Sequence, residues 1–393
     1  MAVYKIFPTQ DTTLYSSYPL MNTGLDAICE VSNTLNLSGN PGVSRFLIQF
    51  DQNEIQDIIS NKISGSQYDI FLKNFIATAQ GINQNTVLEA YPIAQSWNNG
   101  TGYYLDSPQN TDGASWYSPS YSGSQQWVDS GSYNGYYITG SYNLNYSGPG
   151  GGSWFYYGSG SLYVSLGYVA LNYVTGSLPL IGPSDTSFDL RNVKDIEFDV
   201  TSIVDLWNKS SIPNYGFIVK LTGSQEFNPN PSIQPILKYY SVDTNTIYPP
   251  QLEFRWRDYT SISLPSSSIV NTPNLKLSIA ENPESFFPDS VNRFYINVSP
   301  LYPTRVYQTS SLFTNLNYLP TSSYYAIKDL ATNEFVINFD EQYTQISADN
   351  NGNYFDIYMS GLEPERYYKI LIKTKIKGST LIFDDDYYFK VIN

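Results

Sequence analysis

The side chains able to do chemistry in this sequence are carboxylates, one arginine and a scatter of tryptophans. Glu197 and Asp199, and again Glu363 and Glu365, are spaced i, i+2, which puts each pair on one face of an extended strand. Two carboxylates flanking a glycosidic bond are the minimum for acid–base hydrolysis, but a pair on an exposed strand face reads first as solvated surface. Asp384-Asp-Asp386 offers hard oxygen ligands for Ca²⁺, with Asp11 and Asp26 as further candidates. The run lacks the spacing of an EF-hand loop and reads as a solvated hairpin turn. Histidine is absent and Cys29 is the single cysteine, so Ser-His and Cys-His nucleophile pairs, thiolate clusters and His-containing zinc sites all lack their residues. Gly150-Gly-Gly152 lacks the Gly-Lys-Ser/Thr ending of a phosphate loop. No cofactor or metal is expected, and the chain is not expected to be an enzyme.

Two other groups of residues stand out. Arg45 lies in the apolar run Ser44-Arg-Phe-Leu-Ile-Gln-Phe-Asp51; an unpaired charge there would cost several kcal/mol, so a buried clamp onto a carboxylate is predicted. Trp116, Trp127 and Trp154, with Tyr156 and Tyr157, fall in a Gly-, Ser- and Tyr-rich stretch. Flat amphipathic rings suit either a contact surface for glycan or protein, or a core under the stretch itself. Arg255 and Arg257 alternate around Trp256 and are expected to pair with acidic groups.

The elements that position these residues are β-strands. Tyr (37 residues) is abundant and charged residues make up only 14% of the 393; aromatics alternating with small polar residues fit pleated, half-buried surfaces. The net charge of −14 repels phosphate backbones, so a nucleic-acid partner is not expected. No run of 18 apolar residues is present, so no membrane helix is predicted, and no signal peptide is visible at the N-terminus. Asp51-Gln-Asn-Glu54 resembles a capping box before a short helix with Ile55, Ile58 and Ile59 on one face. A second helix is predicted over Ser202–Asn208, with Thr201 as its N-cap and Trp207 facing inward. Strands are predicted over Tyr68–Ala77, Val87–Ile93, Asn214–Leu221 and Ile236–Val242, closing with Pro249–Trp256. After a Ser-rich junction, further strands are predicted at Leu275–Ile279, Arg293–Val298, Tyr324–Ile327, Phe335–Phe339, Tyr354–Met359, Tyr367–Thr374 and Tyr387–Ile392. That is the strand count of a seven-stranded sandwich. Leu362-Glu-Pro-Glu-Arg-Tyr367 has the spacing of a tyrosine corner, with Leu362 capping the core and Tyr367 pinning the crossing. The fold class predicted is all-β: two β-sandwiches, jelly-roll-like over 1–258 and Ig/fibronectin III-like over 259–393, with a Tyr/Gly/Ser-rich insertion at about 98–187.

The first part also resembles a known family. Asp11-Thr-Thr-Leu-Tyr15 with Asn22-Thr-Gly24, Ser44–Asp51, Ala90–Trp97, Ala114-Ser-Trp116, Asp199-Val-Thr201, Trp207, Asn214–Phe217 and Pro250–Arg255 occur in the order seen in DNRLRE-type β-sandwich modules, which are related to some carbohydrate-binding modules. The inserted 98–187 region departs from that pattern. The second part resembles fibronectin III and Ig-like sandwiches. The whole resembles virion structural proteins of T4-like phages of marine cyanobacteria. The resemblance implies a virion protein of the tail, baseplate or neck. Its implied partners are other virion proteins and further copies of itself. A carbohydrate-binding adhesin for host surface glycan is the alternative, and a glycan-degrading enzyme a third.

Overall fold

The computed structural model describes residues 2–35, 41–65, 67–82, 86–121, 125–142, 149–156, 162–164, 167–169, 184–188, 195–226, 228, 230, 234–264, 266–280, 282–302 and 316–392. The protein is mostly β, built from several antiparallel sheets consistent with β-sandwich domains. Contacts divide it into two compact units, one of Met1–Lys5, Lys62–Asp69 and Glu253–Asn393, the other of Ile6–Asn61 and Ile70–Leu252. Among the described residues no helix is long and apolar enough to cross a membrane.

In the larger unit, Pro41–Gln49 lies inside an eight-stranded sheet, flanked by Ile28–Leu35 and Phe217–Leu221 and also paired with Gln10–Tyr15. Its apolar run explains the placement, because a strand covered on both faces needs continuous rather than alternating hydrophobicity. Phe217–Leu221 is buried at every position for the same reason. Beside this sheet, Ser130–Tyr133, Tyr136–Tyr142 and Pro149–Tyr156 form a three-stranded antiparallel sheet. The segment expected as an insertion thus contains regular strands of its own, and Gly150-Gly-Gly152 belongs to one of them.

Both predicted helices are present. Asp51 caps Gln52–Asp57, its carboxylate accepting from the amides of Asn53 and Glu54, and Ile55 and Ile58 are fully buried. The second helix runs Thr201–Asn208, with Ile203, Val204, Leu206 and Trp207 buried. Thr201 is its first residue rather than its cap. Asp199 accepts from both the amide and the hydroxyl of Thr201, and that hydroxyl accepts from the amide of Ile70, 2.8 Å away. The hydroxyl therefore ties the helix start to a strand instead of satisfying the helix's own amides. Trp207 packs on Phe217 with ring centroids 4.6 Å apart, the structural role expected of it.

In the other unit the strands of residues 275–391 form two sheets. Leu275–Ala280, Val291–Pro300, Gly352–Tyr358 and Ser347–Asp349 adjoin in that order, and Ser285–Phe286, Ser379–Val391, Tyr367–Ile376, Ser323–Asp329 and Phe335–Ile337 make the second. Placed in chain order, this is the ABED-against-GFC arrangement of immunoglobulin-type sandwiches. All seven predicted strands are found, with two short ones, Ser285–Phe286 and Ser347–Asp349, in addition. Alternate residues meet between the sheets: Phe294, Tyr325 and Phe355 stack face to face, with Tyr325 and Phe355 only 4.4 Å apart.

The tyrosine corner is real but shifted by one residue. Tyr367 is 55% exposed, whereas Tyr368 is 2% exposed and its hydroxyl donates to the carbonyl of Glu363 at 3.0 Å. Leu362 is buried as expected. Strand alternation fixes the outcome: Tyr368, Ile370 and Ile372 share the inner face, so Tyr367 must point out. We expect Tyr368→Phe to lower stability by about 1 kcal/mol, the net value of one buried hydrogen bond. Tyr367→Phe should stay within about 0.5 kcal/mol of the parent. Urea unfolding of both variants checks this, and a larger loss for Tyr367→Phe would contradict the assignment.

Candidate contact surface

Arg45 is fully buried, and each of its three guanidinium nitrogens donates a hydrogen bond. Nε donates to Glu226 Oε1 at 2.5 Å, Nη2 to Glu226 Oε2 at 2.8 Å, and Nη1 to the carbonyl of Gly151 at 2.5 Å. The planar fork matches both carboxylate oxygens, a geometry lysine cannot supply. The rings of Trp116 and Trp154 lie 5.0 and 5.5 Å from the guanidinium carbon, adding cation–π attraction where water is excluded. The predicted clamp is present, and its partner comes from a short helix, Gly223–Glu226, that the sequence reading did not single out.

This geometry accounts for the glycines. Pro149–Tyr156 pairs with Tyr136–Tyr142 but changes register between Gly150 and Ser153. Gly151 sits in the bulge at φ +75°, and a Cβ there would come within 2.7 Å of Trp116 and 2.9 Å of Arg45. No side chain fits, so the backbone itself closes over the guanidinium.

Of the two readings open for the three tryptophans, contact surface or core, burial selects core. Trp116, Trp127 and Trp154 are 4%, 1% and 5% exposed, in one cluster with Leu14, Leu47, Trp97 and Ile218. Tyr156 packs partly buried against that cluster, and Tyr157 lies outside the described residues. Desolvating a guanidinium requires broad, weakly hydrated neighbours, and indole rings supply them. Arg255 pairs with Glu253 at 2.6 Å, while Arg257 is exposed, reaching Gln345 at 3.4 Å and lying 5.6 Å from the ring of Tyr259.

A different aromatic surface is exposed, and Asn22 holds it. The Asn22 side chain is fully buried and uses all four of its hydrogen-bonding positions. Nδ2 donates to the carbonyls of Asn99 (2.7 Å) and Ala114 (2.9 Å), and Oδ1 accepts from the amides of Gly24 (3.2 Å) and Gly102 (2.9 Å). Gly24 must be glycine, since a Cβ would lie 2.1 Å from the carbonyl oxygen of Asn99. Thr23 completes the motif by bonding both the amide and the carbonyl of Thr13. Asn22-Thr-Gly24 thus pins an irregular loop onto the sheet.

That loop presents Tyr103, Tyr104 and Leu105, which are 49%, 44% and 53% exposed, next to Tyr18 and Leu20 at 37% and 43%. Tyr104 contacts Tyr15 at 4.9 Å and Tyr18 at 6.2 Å between centroids. Asp106 and Asp26 accept from the amides of Tyr103 and Tyr104. Leu105 is held at φ +59°, a left-handed conformation costing a branched side chain about 1–2 kcal/mol, while its apolar side chain faces solvent. Strain of this kind persists where the surroundings impose it, commonly at contact sites. Sequence reasoning missed this patch because Tyr103 and Tyr104 differ in no local signal from neighbouring tyrosines.

The paired carboxylates considered for chemistry lie on solvated surface or in ion pairs. Glu197 and Asp199 are exposed on their strand, and Glu365 pairs with Lys390. Among the described residues no three His, Cys, Asp or Glu side chains converge on a possible metal position. Asp11, considered as a ligand, is 1% exposed and accepts from the amide of Val242 at 2.7 Å. Burial, opposed by that amide bond and reinforced by Asp243, pushes its carboxyl up to about 8.

Two predictions follow from these groups. Arg45→Met leaves Glu226 buried and unpaired and should cost about 3–5 kcal/mol, whereas Arg45→Met with Glu226→Leu should recover most of that loss. A double variant no better than the single one, by urea unfolding, would refute the clamp's energetics. Asp11 holds its proton when folded up to about pH 8 but loses it near 3.8 when unfolded. Its contribution is thus full below 3.8 and is lost as pH rises through 8. Unfolding midpoints should fall from about pH 5 to pH 8.5, and Asp11→Asn should flatten that decline. No family model matches the chain, and no curated protein matches it either.

Proposed function

We propose that the chain is a structural component of a phage virion, in the tail, baseplate or neck, and that it works through protein–protein contacts. The observation carrying this reading is the exposed patch of Tyr18, Leu20, Tyr103, Tyr104 and Leu105, held by the saturated hydrogen bonding of Asn22. A preorganised aromatic and apolar surface of this kind suits docking onto another folded subunit, because little side-chain freedom remains to be lost. Its rings carry hydroxyls and are flanked by Asp26 and Asp106, which gives the mixed character of a non-obligate interface.

The composition supports the same reading. An all-β scaffold with few charges and abundant tyrosine offers rigid contact area, and repetition around a symmetric particle converts modest single contacts into avidity. The partners are other virion proteins and further copies of this chain. The glycan-adhesin alternative loses the tryptophans on which it first rested, since all three rings are buried, Trp116 and Trp154 against Arg45.

Mass spectrometry of purified particles should find the chain in fixed stoichiometry with the tail proteins. The double variant Tyr104→Ser/Leu105→Asp should reduce its incorporation by about tenfold or more, the effect of losing an interface anchor, with an unchanged unfolding midpoint. Absence of the chain from particles, or full incorporation of the variant, would overturn the proposal.

A further inference from the structure

The immunoglobulin-type unit carries an open groove of about 740 Å³, lined by Ile279, Asn282, Glu284, Tyr367, Asp386 and Tyr388 among others. Three features show how it is built. The strand Ser379–Val391 changes register where Ile370 pairs with Tyr387 and Ile372 with Phe383, so Asp384-Asp-Asp386 is extruded opposite Leu371 as a bulge. The run expected as a hairpin turn thus lies within a strand. Such bulges redirect the side chains that follow them, here Tyr387 and Tyr388.

The second feature is the fixing of the two outer rings. Lys369 pairs with Asp384 and Asp386 and lies over Tyr388 at 5.5 Å, while Lys390 pairs with Glu365 and lies over Tyr367 at 5.8 Å. Each ring is held by an ion-paired lysine. The third is the polar complement. Tyr388 Oη and Lys369 Nζ both engage Asp386 Oδ1, leaving Oδ2 to accept, and the exposed Glu284 supplies a second carboxylate at the rim. Asn282 is committed to the backbone, donating to the carbonyl of Tyr388 and accepting from the amide of Glu284, so it shapes the wall.

From this geometry we infer that the groove binds a neutral saccharide, with Tyr367 and Tyr388 as stacking platforms and Asp386 and Glu284 accepting from sugar hydroxyls. Charge selects the class. Lys390 offsets Glu365, and Lys369 offsets one of the two carboxylates it bridges, Asp384 and Asp386, so with Glu284 the groove stays net negative. The free carboxylates and the net charge of −14 repel sulfated or uronic polymers. Flat amphipathic rings beside acceptors match the apolar faces and equatorial hydroxyls of a pyranose. The inference is independent of the virion reading and lies in a different unit from the Asn22-held patch.

Isothermal titration of the purified full chain with glucose-, mannose- and galactose-based hexasaccharides, and with a hexauronate, tests it. At least one neutral hexasaccharide should bind with Kd below about 1 mM. Tyr388→Ala should weaken that binding about tenfold, Tyr388→Phe should retain it, and Tyr104→Ser should leave it unchanged. Failure of every neutral hexasaccharide to bind, tighter binding of the hexauronate, or indifference to Tyr388→Ala would overturn the inference. None of these outcomes bears on whether the chain is found in particles.

Discussion

A charge placed in the middle of an eight-stranded sheet sets the terms for the larger unit. Arg45 could not be buried without a bidentate acceptor, a third acceptor for Nη1, and neighbours that do not compete for its hydrogen bonds. Glu226, the carbonyl of Gly151 and the rings of Trp116 and Trp154 supply these in turn. Three separate parts of the chain deliver them, Gly151 and Trp154 sharing one strand. The short helix Gly223–Glu226, the bulged strand Pro149–Tyr156 and the loop carrying Trp116 are therefore held by a common requirement. A replacement by apolar groups could match its stability, so the clamp's main consequence is to specify which segments meet.

The same logic explains how much was legible from residues alone. A lone arginine in an apolar run predicts its own pairing, because the alternative is too costly. Strands of the immunoglobulin-type unit were legible because alternation with period two is a local signal. The parity of one tyrosine was not, since the tyrosine-corner spacing admits either Tyr367 or Tyr368 and only pairing with Ser323–Asp329 and Ser379–Val391 sets the inner face. The choice between surface and core for the tryptophans was not legible for a related reason. Composition reports that rings are present, while burial depends on a guanidinium 71 and 109 residues earlier in the chain (116 − 45 and 154 − 45). The aspartates read as a turn proved to be a bulge within paired strands, and Gly151 lies in another. Bulges are register events between strands and leave little trace in either strand's own sequence.

The two exposed surfaces rest on these internal devices. Asn22 spends every donor and acceptor it has on loop backbone, so the patch at Tyr103–Leu105 is positioned by hydrogen bonds as well as by the packing of Tyr104 on Tyr15 and Tyr18. The groove at Tyr367 and Tyr388 is positioned by ion pairs across a bulge. In both, rigidity is transmitted to rings that solvent can still reach. That combination distinguishes them from the buried aromatic clusters beside them.

The clamp also fixes the order in which the chain can mature. Its two hydrogen-bonding partners, Gly151 and Glu226, lie 106 and 181 residues from Arg45 along the sequence. Contacts of such range close late, after local hairpins have formed, because loop-closure entropy precedes any gain. Until then the indoles of the Gly- and Tyr-rich segment have no guanidinium to surround and no sheet to cover. The clamp therefore ties burial of these indoles to the longest-range contacts it makes, the kind of contact that topology makes slow to close.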